Sequence, residues 1–197
     1  MTGKMTFAAF AALMIGAGSA QALTASYGLT VSGSRNVPTL SLSNTGDVAI
    51  TQIAFFIGDT AYNIDGLSSI SNGTSGSYTL VGVDTNTSGG STSAGRSDDF
   101  SITYTGFLGG DSFSFGADVD RDHANTVEDY RNVFSDGGYM RFTFAEGSVL
   151  TAQFADMNTG DTTYDYVGAA AVPLPAGAVL LLGGLAGFGA LRRRQKV

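Results

Sequence analysis

An uninterrupted apolar run near the C-terminus, Ala176 to Leu191, limits any fold this chain can adopt. It carries no charged or polar side chain and is followed by Arg192, Arg193, Arg194, Gln195 and Lys196. As a helix it spans about 24 Å, and about 30 Å counted from Val172, enough for one bilayer crossing. A helix that is apolar on every face has no solvent side, so it does not suit the surface of a compact domain. The cation cluster belongs on the cytoplasmic side by the positive-inside rule. Pro173 and Pro175 keep the preceding chain extended and start the helix near Pro175 or Ala176. The prediction is a transmembrane helix over 176–191, with Arg192, Arg193 and Arg194 as its stop. Gly183 and Gly187 have the G-x-x-x-G spacing of close helix pairs, a weak signal in a run this rich in Gly and Ala.

The other end reads as an export signal. Lys4 supplies a short positive region, Phe7 to Ile15 an apolar stretch, and Ala20-Gln21-Ala22 a small-x-small cleavage site. Residues 1–22 are therefore expected to be a signal peptide cut after Ala22, with the mature chain starting at Leu23. The two ends together predict an exported body held at the membrane with the tail arginines inside.

Val172-Pro173-Leu174-Pro175-Ala176, the Gly-rich apolar run and the terminal Arg cluster stand in that order over the last 26 residues, 172–197. This tripartite tail resembles the VPLPA-type members of the PEP-CTERM class of bacterial sorting signals. The resemblance implies a Gram-negative bacterium that makes exopolysaccharide. It also implies an exosortase-like processing enzyme as partner, with Val172, Pro173, Leu174, Pro175 and Ala176 as its recognition motif. A cell-surface or extracellular-matrix destination, with exopolysaccharide or other matrix components nearby, follows from the same resemblance. It covers the tail alone and implies nothing about the body.

The body carries all seventeen acidic residues against five arginines, which leaves twelve net negative charges. Such a field argues against nucleic acid or anionic membrane surfaces as partners. It suits either a solvated acidic surface or attraction of divalent cations. No Cys is present, so disulfides and thiolate zinc sites are excluded.

Within the body, short alternating segments recur between Gly, Ser, Thr and Asn clusters. Strands are predicted at Ala25–Val31, Thr39–Ser43, Ala49–Ile57, Ser77–Val83, Phe100–Phe107, Ser112–Asp118, Tyr139–Ala145, Val149–Ala155 and Thr162–Tyr166. The clearest unit is a hairpin with Met140, Phe142 and Phe144 on one strand and Leu150, Ala152 and Phe154 on the next, turning at Glu146-Gly147-Ser148. Strands at this spacing predict an all-β body, a β-sandwich or jelly roll with one short helix, over residues 23–160. Two facing sheets also account for the burial required by Phe55, Phe56, Phe100, Phe107, Phe113 and Phe115. Asn72 to Ser77 and Asp84 to Asp98 read as loops, and residues 161–171 as a small-residue spacer to the membrane.

One constellation in the body points to chemistry. Asp118, Asp120 and Asp122 alternate, with Glu128 and Asp129 close behind. Carboxylates at alternate positions can converge on a hard cation, and the spacing resembles the start of an EF-hand or dockerin-type calcium loop. His123 replaces the glycine such loops need at the sixth position, and Asp129 replaces the glutamate at the twelfth. The alternative is an acidic turn whose carboxylates meet Arg121, Arg131 or backbone N–H groups. A short helix over Thr126 to Phe134 should follow, with Thr126 as its cap and Val127, Tyr130 and Phe134 on one side.

Catalytic signals are thin. His123 is the sole histidine and has no G-x-S-x-G context. No phosphate-binding glycine loop precedes a helix. Paired-carboxylate hydrolysis of carbohydrate needs only two acids at the right separation, and no feature selects a pair. The sequence therefore predicts a non-enzymatic, exported surface or matrix protein that displays an acidic β-domain for adhesion, with calcium as a candidate ligand. A secreted carboxylate-dependent carbohydrate-active hydrolase is the alternative.

Overall fold

The computed structural model describes residues 22–33, 35–82, 98–122 and 126–172. Ala20, His123, residues 173–176 of the sorting motif, the apolar run, Arg192, Arg193, Arg194 and most of the expected 84–98 loop lie outside them. Among the described residues no helix is long and apolar enough to cross a membrane.

Among the described residues ten strands form two antiparallel five-stranded sheets. In chain order they are β1 (Thr24–Gly33), β2 (Pro38–Asn44), β3 (Ile50–Phe56), β4 (Tyr62–Gly73), β5 (Tyr78–Val81), β6 (Asp99–Phe107), β7 (Ser112–Arg121), β8 (Tyr139–Phe144), β9 (Val149–Gln153) and β10 (Thr163–Ala171). One short helix, α1 (Tyr130–Ser135), lies between β7 and β8. The first sheet has the order β10-β1-β2-β7-β4 and the second β5-β6-β3-β8-β9.

The sequence alternation explains why these sheets face each other. Successive side chains of a strand point to opposite faces. In the first sheet Leu42 lies between Leu29 and Phe113, and Leu40 between Val31 and Phe115, all buried. The residues between them are small and polar: Ser41 faces Thr30 and Ser114, and Ser43 faces Gly28 and Ser112. The second sheet answers with Phe55, Ile102, Met140 and Phe142. Aromatic rings bridge the layers. Tyr27 of β1 stacks on Phe142 of β8 at 4.0 Å, and Phe100 and Tyr104 of β6 meet Phe115 and Phe113 of β7 edge-on. The all-β, two-sheet expectation is thus correct, and the β8–β9 hairpin has its predicted turn, with Gly147 at φ 91°.

Three expectations fail, each for a local reason. The strand β4 was not foreseen. Its apolar residues Ile64, Leu67 and Ile70 are spaced by three, because two bulges break the pairing with β7 between Ile64 and Leu67 and between Ser68 and Ser71. Each bulge inserts an unpaired residue and shifts the alternation.

Residues 161–171 are not a spacer. Nine of them form β10, which pairs with β1 from Ser32↔Thr163 to Thr24↔Ala171. Their small side chains are needed there: a Cβ on Gly168 would lie 2.5 Å from the ring of Tyr27 directly opposite. The folded body therefore extends past residue 160, at least to Ala171.

The helix, finally, starts later than expected. Asp129, not Thr126, is its N-cap, and Val127 is 72% exposed while Tyr130 and Phe134 are fully buried.

Candidate functional site

The acidic segment 118–129 was the leading site in the sequence, and the structure gives its carboxylates separate tasks. Asp118 and Asp120 lie on the outer face of β7, as alternate strand residues must. Asp118 accepts a hydrogen bond from Asn36 Nδ2 at 2.7 Å. Asp120, only 1% exposed, accepts the Thr126 N–H at 2.6 Å. Asp122 accepts from Asn63 Nδ2 at 2.8 Å. Glu128 accepts from Arg121 Nε at 3.0 Å. Backbone N–H and amide donors thus tie the turn to β4 and to the segment before β2.

Asp129 is turned away into a different contact. Both its oxygens meet Arg131, at 2.7 Å from Nε and 2.7 Å from Nη2. The two side chains are 9% and 10% exposed. Arg131 Nη1 donates in addition to the carbonyls of Thr159 and Asp161 at 2.8 and 2.7 Å. One guanidinium thereby joins α1 to the chain leading into β10. Hydrogen bonds from the Arg131 side chain hold the Asp129 carboxyl below the ordinary carboxylate range.

The expected convergence of Asp118, Asp120, Asp122, Glu128 and Asp129 on one cation is therefore not what the described residues show. Among them no three acidic or histidine side chains are arranged to hold a metal ion. The reason is geometric. The turn places Asp129 at a helix start, where its carboxylate caps Arg131 N–H and pairs with the same residue's guanidinium.

The described residues that border the two expected address segments, Leu23 and Val172, lie side by side. Val172 N–H donates to the Leu23 carbonyl at 2.8 Å, one step beyond the Thr24↔Ala171 pair. Asp47 Oδ2 accepts the Thr24 N–H at 3.0 Å beside them. The expected address segments thus adjoin the sandwich at the same end of β1 and β10, next to the Leu23–Val172 pair.

A second surface was missed in the sequence. Phe56 was expected in the core with Phe55, but adjacent residues of one strand cannot share a face. Phe55 is fully buried; Phe56 is half-buried on the outer face of the second sheet. Its ring stacks on Tyr139 of β8 at 4.4 Å and 21°. Arg141 Cζ lies 5.6 Å from the Phe56 ring centroid and 5.5 Å from that of Tyr139. Two depressions flank Phe56. One of about 350 Å³ is lined by Thr60, Asp98, Asp99 and Tyr139, and one of about 320 Å³ by Gln52, Ala54, Asp99 and Ser101. Burial, and the nearby charges of Asp122 and Asp99, raise the carboxyl of Asp98 above the usual range.

No protein-family model matches the chain, and no curated protein or solved structure is significantly similar to it.

Proposed function

We propose that the chain is an exported, non-enzymatic display protein. A signal peptide cut after Ala22 takes it across the inner membrane. The tail, with a helix over 176–191 and Arg192, Arg193 and Arg194 as its stop, holds it there for an exosortase-like enzyme acting at Val172 to Ala176. The acidic sandwich is then presented at the cell surface or in the matrix.

The observation that carries this reading is the pairing of the ends through Val172 N–H and the Leu23 carbonyl. Both address segments join the body at the same end of two neighbouring strands, so a membrane at that end leaves both outer faces open to the medium. The test is intact-mass and terminal-peptide mass spectrometry of the protein from membrane and from medium. A form starting at Leu23 and ending near Pro175 in the medium is expected. A chain ending at Val197 and confined to membranes would remove the exosortase step.

Hydrolysis of carbohydrate by paired carboxylates draws support from one feature, the raised carboxyl of Asp98 beside Asp99 in the depression next to Phe56. Release of reducing ends from polysaccharide by the purified protein would favour that second reading.

A further inference from the structure

The outer faces of the two sheets differ in kind. The first shows rows of Ser, Thr and Gly with the carboxylates of Asp118, Asp120 and Asp165 among them; the second shows aromatic rings with charges of both signs beside them. Its topmost row runs across four strands through register partners. Asp99 of β6 faces Phe56 of β3, Phe56 faces Tyr139 of β8, and Tyr139 faces Gln153 of β9. The next row on this face is Ser101, Ala54, Arg141 and Thr151. Strands lie about 4.8 Å apart, so each row measures about 15 Å from end to end, the scale of an oligosaccharide.

We propose that this face binds a neutral hexose polymer, with Phe56 and Tyr139 as its stacking platform. Sugar rings present flat C–H surfaces that pack on aromatic faces, and their hydroxyls need donors and acceptors at the rim. Both are present. Asp99 and Gln153 end the aromatic row, and Arg141 supplies N–H donors from the row beneath. Ala54, the small residue behind Phe56, and Gly58 and Gly137 on its other side leave the two depressions open, with Phe56 and Asp99 as their shared wall. A polymer running over that wall would seat a residue on each side.

The platform is rigid, because Phe56 stands on β3, the middle strand of the sheet. Charge narrows the ligand further. The body's excess of twelve negative charges repels acidic polymers. At the rings themselves Arg141, 5.6 and 5.5 Å from the centroids of Phe56 and Tyr139, already occupies the place of a cation, while Asp98 and Asp99 line the depressions beside them.

The face deepens the adhesive reading but needs neither export nor tail processing, so the two can fail separately. The test uses the full chain purified in a non-glycosidic detergent. Its mobility in native gels containing a soluble neutral β-glucan, an α-glucan, a mannan or a galactomannan is compared with gels containing a polyuronate or a partly deacetylated glucosamine polymer.

Retardation by at least one neutral polymer is expected. Phe56→Ala with Tyr139→Ala should weaken it about tenfold or more while Tm stays within about 3 °C. The control pair Ser41→Ala and Ser114→Ala, on the opposite outer face, should leave retardation unchanged. Should the double variant unfold, Phe56→Gln alone is measured, with the same loss expected. Binding to no neutral polymer overturns the proposal, as does stronger binding to a charged one. Equal retardation of the aromatic variants, or release of reducing ends during binding, overturns it too.

Discussion

Gly168 shows how much one side chain position decides in this sandwich. It sits opposite Tyr27 in the β1–β10 register, and the Tyr27 ring occupies the space a Cβ would take. That ring cannot yield freely, because it is buried and stacked on Phe142 across the layers. Gly168→Ala is therefore expected to destabilise by about 1–3 kcal/mol through overpacking, although the same change usually favours the folded state by restricting the unfolded chain. Urea unfolding of the variant measures it, and an unchanged midpoint would show that the Tyr27 ring moves. In the sequence, Gly168 is one small residue in the run Val167-Gly168-Ala169-Ala170-Ala171, with no mark of its partner. Phe56 is the opposite case. The alternation of its own strand already sends it outward, and only its aromatic identity suggests burial.

At the scale of elements, β10 carries the sharpest consequence. A spacer can be removed without effect; a strand paired along the whole of β1 cannot. Deleting residues 163–171 would expose the full hydrogen-bonding edge of β1 and uncover Tyr27. We expect that deletion to abolish cooperative thermal unfolding or to yield aggregates, whereas a spacer would leave Tm unchanged. Two other edges, β4 and β5, are already blunted. The two bulges twist β4, and β5 is only four residues long. The bulges are also what hid β4 from a period-of-two reading. By contrast β1, β2, β7 and the β8–β9 hairpin alternate without interruption over their inner residues and were legible residue by residue.

The whole molecule responds to acid through its carboxylates. The Asp129 carboxyl is held low by Arg131, and that of Asp111 by the backbone N–H groups of Ser75 and Leu108. For a carboxyl lowered in the folded state, the unfolded chain binds more protons, so its stabilisation is full above the unfolded value near 3.9. That contribution is lost as pH falls through the lower folded value. Asp129→Asn should cost about 3 kcal/mol at neutral pH, because it leaves Arg131 buried without its charge partner. The gap between wild type and variant should then narrow as the pH drops below about 4. Denaturant midpoints at pH 7, 5 and 3 test this; a constant gap would mean that the pair does not act through ionisation.

Much at this scale followed from the chain alone. Period-two alternation is a local property, so it specifies an all-β body and most of its inner faces before any contact forms. Contacts between residues distant in the chain decided the rest. Asp129 serves Arg131, two residues on, instead of gathering with Asp118, Asp120 and Asp122, and Arg131 is fixed there by the distant carbonyls of Thr159 and Asp161. β10 is a strand because β1 offers it an edge, and Gly168 a glycine beside Tyr27. Phe56, Tyr139 and Arg141 share one face because the register between β3 and β8 aligns them, and register is a property of paired strands that no single segment carries.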